Sequence, residues 1–206
     1  MTESSGLAQI AQEVSVCTRC RLHSSRKNAV PGEGPPDTQI MFIGEGPGFH
    51  ENEQGRPFVG AAGKFLEELL AGIGFRRDQV FICNVVKCRP PGNRDPLPDE
   101  MESCREYLDR QIAAVNPQVI VTLGRFSMAR YFGEAKISAV HGQVRRVDGR
   151  VVVAMFHPAA ALHQPSLRAT VVEDFAKLPE LIRASQQAAP APPPAAAEPP
   201  KQLSLF

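Results

Sequence analysis

Apolar residues along this chain switch repeatedly between two periods. Gln39–Gly44 (QIMFIG) is a short continuous apolar run closed by glycine, the pattern of a strand buried on both faces. Ala61–Ile73 then sets Phe65, Leu66, Leu69, Leu70 and Ile73 on one helical face, with Gly74 as the stop. Val80–Val86 predicts a second strand. Asp99–Val115 predicts a helix with Met101, Cys104, Leu108, Ile112 and Val115 in step, opened near Pro98 and closed before Pro117. Gln118–Leu123 reads as a third strand, ending at Gly124. Gln143–Val147 and Arg150–Phe156 flank Asp148-Gly149, a hairpin signal. Leu167–Ala184 predicts a last helix, and a short helical segment with Leu7, Ile10, Ala11 and Val14 comes first. Strands alternating with helices predict an α/β fold, in three layers (α/β/α) around a central, mainly parallel four-stranded sheet. Ligands in such folds bind beyond the carboxyl ends of the strands. The loops of interest therefore start at Gly44, Asn84, Gly124 and His157.

The pattern stops near Ser185. Gln186 to Lys201 holds six prolines and is otherwise mostly alanine, a composition that cannot bury enough apolar surface to order itself. Residues 1–184 are thus expected to form one domain and 185–201 a Pro/Ala linker. Residues 202–206 (QLSLF) restore three large apolar side chains at the tip. Lys+Arg minus Asp+Glu is 23 − 22 = +1 over 206 residues, so DNA contact would need a local basic patch. No apolar run approaches the roughly 20 residues that span a bilayer, and no signal-peptide pattern opens the chain. A cytoplasmic, nucleoid-associated monomer is expected, with no membrane partner.

Five cysteines in such a compartment point to metal or cluster ligation before disulfides. Cys17 and Cys20 form a C-x2-C pair among basic residues. Cys88 follows the second strand, and Cys104 comes fifteen intervening residues later, early in a helix. Four thiolates can close a tetrahedral zinc site or hold a [4Fe–4S] cluster, and spacing does not separate the two. Cys83 lies inside an apolar strand and is the odd one out. The loop Gly44-Glu45-Gly46-Pro47-Gly48 lacks the third glycine of a dinucleotide fingerprint, and its acidic residues would repel a pyrophosphate. Its glycines instead allow backbone to approach a small planar ligand.

Read together, GEGPG with GRPFVGAAG (Gly55–Gly63), NVVKCRPPGNR (Asn84–Arg94) and FHP (Phe156–Pro158) resemble the iron–sulfur uracil-DNA glycosylases, the family 4 type of bacteria and archaea. The resemblance covers roughly residues 7–184. It implies a [4Fe–4S] cluster on Cys17, Cys20, Cys88 and Cys104. Two positions depart from the family's usual pattern: Asn52, where an acidic residue is common, and Ala159, where serine often follows His-Pro. A related branch traps the abasic sugar on a histidine in an inserted basic loop; Arg89–Pro98 contains no histidine, which disfavours trapping.

The resemblance also implies roles. A flipped uracil needs an aromatic platform, for which Phe58 is the candidate, with Gly44 and Gly46 as further substrate-binding residues whose backbone can approach the base. Asn84 can accept from uracil N3–H and donate to O4, the reverse of what cytosine presents. Glu51 would refuse the thymine methyl. His157 would donate to O2 as charge develops there. Glu45 is the carboxylate nearest C1′ by sequence, and Asn93 a water-orienting group. Leu162 could wedge into the gap left in the stack. Arg19, Arg21, Arg26, Lys27, Lys87, Arg89 and Arg94 are expected on the DNA backbone, whereas Arg76, Arg77, Arg145 and Arg146 read as solvated charge. The expected activity is monofunctional release of uracil from single- or double-stranded DNA, the start of base excision repair. The competing reading is a non-catalytic iron–sulfur or zinc DNA-binding module of the replication machinery. A pure binder has no need of Asn84, Phe58 and His157 together. Finally, Gln202, Leu203, Leu205 and Phe206 resemble the pentapeptide that bacterial repair proteins insert into the DNA polymerase sliding clamp.

Overall fold

The computed structural model describes residues 3–187, with side chains from 6 to 184. Five strands, β1 (Ile40–Gly44), β2 (Phe81–Asn84), β3 (Val119–Leu123), β4 (Val144–Val147) and β5 (Arg150–Met155), form one sheet in the order β2-β1-β3-β5-β4. All pairs are parallel except β4 with β5. The sheet thus has one strand more than expected, because the Asp148-Gly149 hairpin adds its first arm at the edge. Both turn residues take positive φ (49° and 77°), as a two-residue hairpin turn requires. β4 is largely exposed, which suits an edge and not a core position.

Side chains alternate across the sheet and define two apolar layers. Phe42, Val121 and Val153 point to one face. There they meet α3 (Ala61–Gly72), α8 (Arg168–Ala176) and α9 (Leu178–Gln187) through Leu66, Leu70, Phe175 and Leu178. Met41, Ile43, Ile120 and Val152 point to the other. They are covered by α4 (Pro98–Val115) and α5 (Arg125–Phe132) through Leu108, Ile112 and Met128. Shorter helices carry the loops: α2 (Phe49–Gln54), α6 (Ile137–Val140) and α7 (Pro158–His163). The first helix, α1 (Glu3–Ser15), packs Ile10 and Val14 against Tyr107 of α4.

The stretch expected as one helix over Leu167–Ala184 is two, broken at Lys177, ahead of Pro179 in the first turn of α9. The second strand ends at Asn84 and not Val86. Beyond it the Val85 and Val86 amides bond the carbonyls of Gly44 and Glu45, so the two loops that leave β1 and β2 are stitched together. The linker and the QLSLF terminus fall outside the described residues from 188 onward. No helix among the described residues is long and apolar enough to cross a membrane.

Candidate active site

The carboxyl ends of β1, β2 and β5 open onto one cavity of about 500 Å³, whose walls include Glu45, Glu51, Phe58, Asn84, Asn93 and His157. Asn84 is the last residue of β2 and is 1% exposed. Its side-chain oxygen is buried without a hydrogen-bond partner. Such an orphan costs free energy unless a ligand satisfies it. Gly44 lies directly across the β1–β2 register from Asn84. A Cβ there would come within 2.4 Å of Asn84 Oδ1 and 2.7 Å of the Phe58 ring, so only glycine lets the amide and the ring converge.

Phe58 is buried and sits at φ 50°, a conformation an L-residue adopts only under restraint. The restraint is visible. Arg77 Nη1 donates to the Phe58 carbonyl at 2.8 Å, and Nη2 donates to that of Pro57. The Phe58 ring stacks on the His157 imidazole at 5.4 Å between centroids and 22° between planes. His157 caps α7, and its Nδ1 accepts the Ala159 amide at 3.1 Å. An accepting Nδ1 leaves the proton on Nε2. Burial lowers the His157 pKa to about 4, against the opposing pull of the Glu51 carboxylate. The ring is therefore a neutral Nε2–H donor at pH 7.

Glu51 faces the cavity with its acceptors already engaged. Oε1 takes the amides of Val59 and Gly60 at 2.8 Å each, and Oε2 that of Gly48 at 3.1 Å. Glu45 accepts no such amides among the described residues. Burial, together with the nearby charge of Asp95, pushes its carboxyl above the usual range, offset in part by Arg125. Asn93 lies on the outer wall with its oxygen taken by Arg89 Nε at 2.8 Å. Gly46 backs onto Val86, where a Cβ would stand 2.8 Å from a methyl. Leu162, on α7, is 41% exposed near the cavity's Ala159 and His163.

On the far side of β2 a second, small pocket is lined by Cys17, Cys20, Cys88 and Cys104 together. Among the described residues no group of three or more His, Cys, Asp or Glu side chains stands as a ready ion site. The donor chemistry nevertheless suits a thiolate-bound centre. Arg26 Nη1 donates to Cys88 Sγ at 3.2 Å and the Arg19 amide to Cys17 Sγ at 3.5 Å. Burial raises the thiol pKa of Cys20, Cys88 and Cys104, the last to about 11, offset in part by the Leu22 amide at Cys20, Arg26 at Cys88 and the Lys87 amide at Cys104. Cys83, wholly buried in β2, packs in the apolar layer beneath α4 with Leu108 and Ile112, and does not line that pocket.

The chain matches the profile of the Uracil DNA glycosylase superfamily over residues 31–178. It is 49% identical over 187 residues to the type-4 uracil-DNA glycosylase of Sulfurisphaera tokodaii, covering 85% of this chain and 84% of the relative. It is 48% identical over 189 residues to that of Archaeoglobus fulgidus, covering 87% and 95%. The Thermotoga maritima type-4 uracil-DNA glycosylase is 45% identical over 179 residues, covering 84% and 93%. The chain belongs to the type-4 uracil-DNA glycosylase family.

Within this type-4 frame, the structure brings Glu45, Gly46, Glu51, Phe58, Asn84, Asn93 and His157 around one cavity, with Gly44 beneath it. The basic residues need correction. Lys87 is 1% exposed and cannot reach a DNA backbone. Its Nζ donates to the Asn84 carbonyl at 2.8 Å and to Gln111 Oε1 at 2.6 Å, so it braces the end of β2 from behind. Arg77 is likewise no solvated charge, since it holds the Phe58 turn. Arg145 is exposed, as expected, while its guanidinium lies over Phe132 and donates to the Tyr131 carbonyl. Arg19, Arg21, Lys27 and Arg94 are each paired with a carboxylate: Glu106, Asp99, Glu53 and Glu100. Arg26 is engaged with Cys88 and the Ser15 carbonyl. No sequence motif signals Arg77, whose partner carbonyls only the fold brings near; Lys87 lies within the NVVKCRPPGNR motif, which does not reveal that it turns inward to Gln111.

Proposed function

We propose that this chain hydrolyses the N-glycosidic bond of deoxyuridine in DNA, as a monofunctional uracil-DNA glycosylase. The observation that carries the reading is the buried, unpartnered Asn84 oxygen facing a cavity shared with Phe58 and a neutral His157. That oxygen accepts uracil N3–H, and the amide NH2 donates to O4; cytosine, with an acceptor at N3 and donors at N4, leaves both unpaired. Phe58 supplies the stacking face. Glu51, pinned by three amides, forms a fixed wall against the C5 methyl of thymine. As the C1′–N1 bond breaks, its electron pair passes into the uracil ring and onto O2, where the His157 Nε2–H donates. Glu45 faces the oxocarbenium-like sugar and takes a proton from the attacking water, whose oxygen forms the new bond to C1′. Asn93 has its NH2 free to hold that water, and Leu162 fills the space the base leaves.

Cys17, Cys20, Cys88 and Cys104 would hold a [4Fe–4S] cluster, since soft thiolates spread around a shared pocket suit a polynuclear centre. Bound there, it would tie the Cys17–Cys20 loop to β2 and α4 as a structural clasp. The QLSLF end would tether the enzyme to a sliding clamp. Its linker of about 16 residues reaches up to ~50 Å at ~3.1 Å per residue, enough to act on DNA while attached.

The deciding assay is release of uracil from a uracil-containing oligonucleotide by wild type and Asn84→Asp. Wild type is expected to release uracil and the variant to lose most of that activity. A wild type that binds the oligonucleotide and releases nothing would leave the binding-module reading in its place. For the tail, a chain ending at Lys201 should keep full activity on short oligonucleotides and lose clamp binding in a titration; equal binding by both chains refutes the tether.

A further inference from the structure

With Lys87 buried and most of its basic neighbours neutralised, one cation beside the cavity stands out. Among the described residues Arg89 makes no carboxylate pair. Its Nε is fixed by Asn93 Oδ1 at 2.8 Å, on the cavity wall. Its guanidinium lies 5.3 Å from the centroid of the Phe49 ring. Phe49 follows Gly48 of the cavity wall, and it is 52% exposed, an unusual position for a large aromatic side chain. The His50 ring meets it edge-on at 5.4 Å, so the phenyl ring is oriented from two sides while much of it faces solvent. Neither the uracil-reading residues nor the fold requires an aromatic here: Phe49 packs in none of the apolar layers.

An exposed ring beside an unpaired guanidinium matches one ligand chemistry, a nucleobase joined to a phosphate. We propose that Phe49 and Arg89 form a second recognition site on the cavity lip, taking the nucleotide that adjoins the flipped uridine. Its base stacks on Phe49 and its phosphate meets Arg89. The site rests on the glycosylase reading above and adds to it a grip on the strand outside the pocket. Flipping strips the adjoining base of its stacking partner. Phe49 replaces that partner, so the site lowers the cost of extrusion and acts on a single strand as well as on a duplex.

The test compares kcat and KM on three single-stranded oligonucleotides: one intact, one with a tetrahydrofuran abasic residue 5′ of the uridine, one with it 3′. Base stacking on an aromatic corresponds to roughly 5- to 160-fold in affinity. Wild type is expected to lose that factor in KM on one abasic-flanked substrate. Phe49→Ala should lose the same factor on the intact substrate and nothing further on the abasic one, with kcat retained. Phe49→Tyr should behave as wild type. Inhibition by free uracil, which fills only the pocket, should be the same in wild type and Phe49→Ala. Arg89→Met should reduce the slope of log kcat/KM against log salt by about 0.7, the share of one phosphate on a single strand. A wild-type KM for Phe49→Ala on the intact substrate overturns the stacking site. So does an additional loss for that variant on both abasic substrates, or a changed inhibition by free uracil. An unchanged salt slope for Arg89→Met overturns the phosphate contact. If wild type releases no uracil at all, the glycosylase reading fails and this site falls with it, whereas uracil release with an unaffected Phe49→Ala overturns this site alone.

Discussion

His157 is fixed in one tautomer by a single backbone amide and kept neutral by burial. A neutral donor can strengthen its bond to O2 as charge builds there without first losing a proton. His157→Ala is expected to slow single-turnover uracil release by at least roughly 100-fold, with little change in DNA binding. The lowered pKa also has a thermodynamic sign. Between the unfolded value near 6.5 and the folded value of about 4, the unfolded chain takes up the proton first, so stability falls as pH falls through that window. Thermal melts of His157→Gln against wild type should show the variant losing less stability from pH 6.5 to 4. Glu45 behaves in the opposite sense. Burial and Asp95 raise its carboxyl pKa, so the acid limb of the rate profile should lie above the usual carboxylate range. Asp95→Asn removes the repelling charge and should move that limb to lower pH, as single-turnover rates across pH would show.

At the scale of elements, the site depends on two turns that cannot relax independently. The Pro57–Phe58 turn is held outward by Arg77 and from within by Glu51, whose Oε1 takes the next two amides. A Cβ at Gly63, in the first turn of α3, would fall 1.9 Å from the Phe58 carbonyl oxygen, so only glycine lets that turn of the helix pack against the loop. Arg77→Ala leaves two carbonyls without a charged donor and should destabilise the fold by about 2 kcal/mol, seen as a lower denaturation midpoint. Much of this region is legible in the sequence. The strands announce themselves as apolar runs. Gly44, Asn84 and His157 fall at strand ends or just beyond, where an α/β sheet places its ligand. The glycine-rich loop is distinguishable from a phosphate cradle by its acids. The braces are not legible: Arg77 and Lys87 look like ordinary surface charge until the fold delivers carbonyls from distant or reversed backbone. The break at Lys177 was hidden for a related reason. The apolar positions of α8 and α9 are close to one helical period, and only the change in packing partner, with Pro179 in the turn that follows, separates them.

For the whole molecule, the end of β2 carries most of the architecture within a few residues: Asn84 facing the cavity, Lys87 bracing it, Cys88 in the thiol pocket. Cys88→Ser and Cys104→Ser are expected to abolish a broad visible absorption and the bound iron, whereas Cys83→Ser should keep both. Anaerobic metal analysis that returned one zinc and no iron would refute the cluster assignment. The same economy extends to the surface. Arg19, Arg21, Lys27 and Arg94 are matched by carboxylates of the chain itself, and the formal net charge is only +1. Each of these cations must surrender an internal partner before it can take a phosphate, so an encounter with undamaged DNA displaces few counterions. Residence on ordinary sequence is then expected to be brief, a search by repeated short landings that lengthens only once a base has left the helix and been seated.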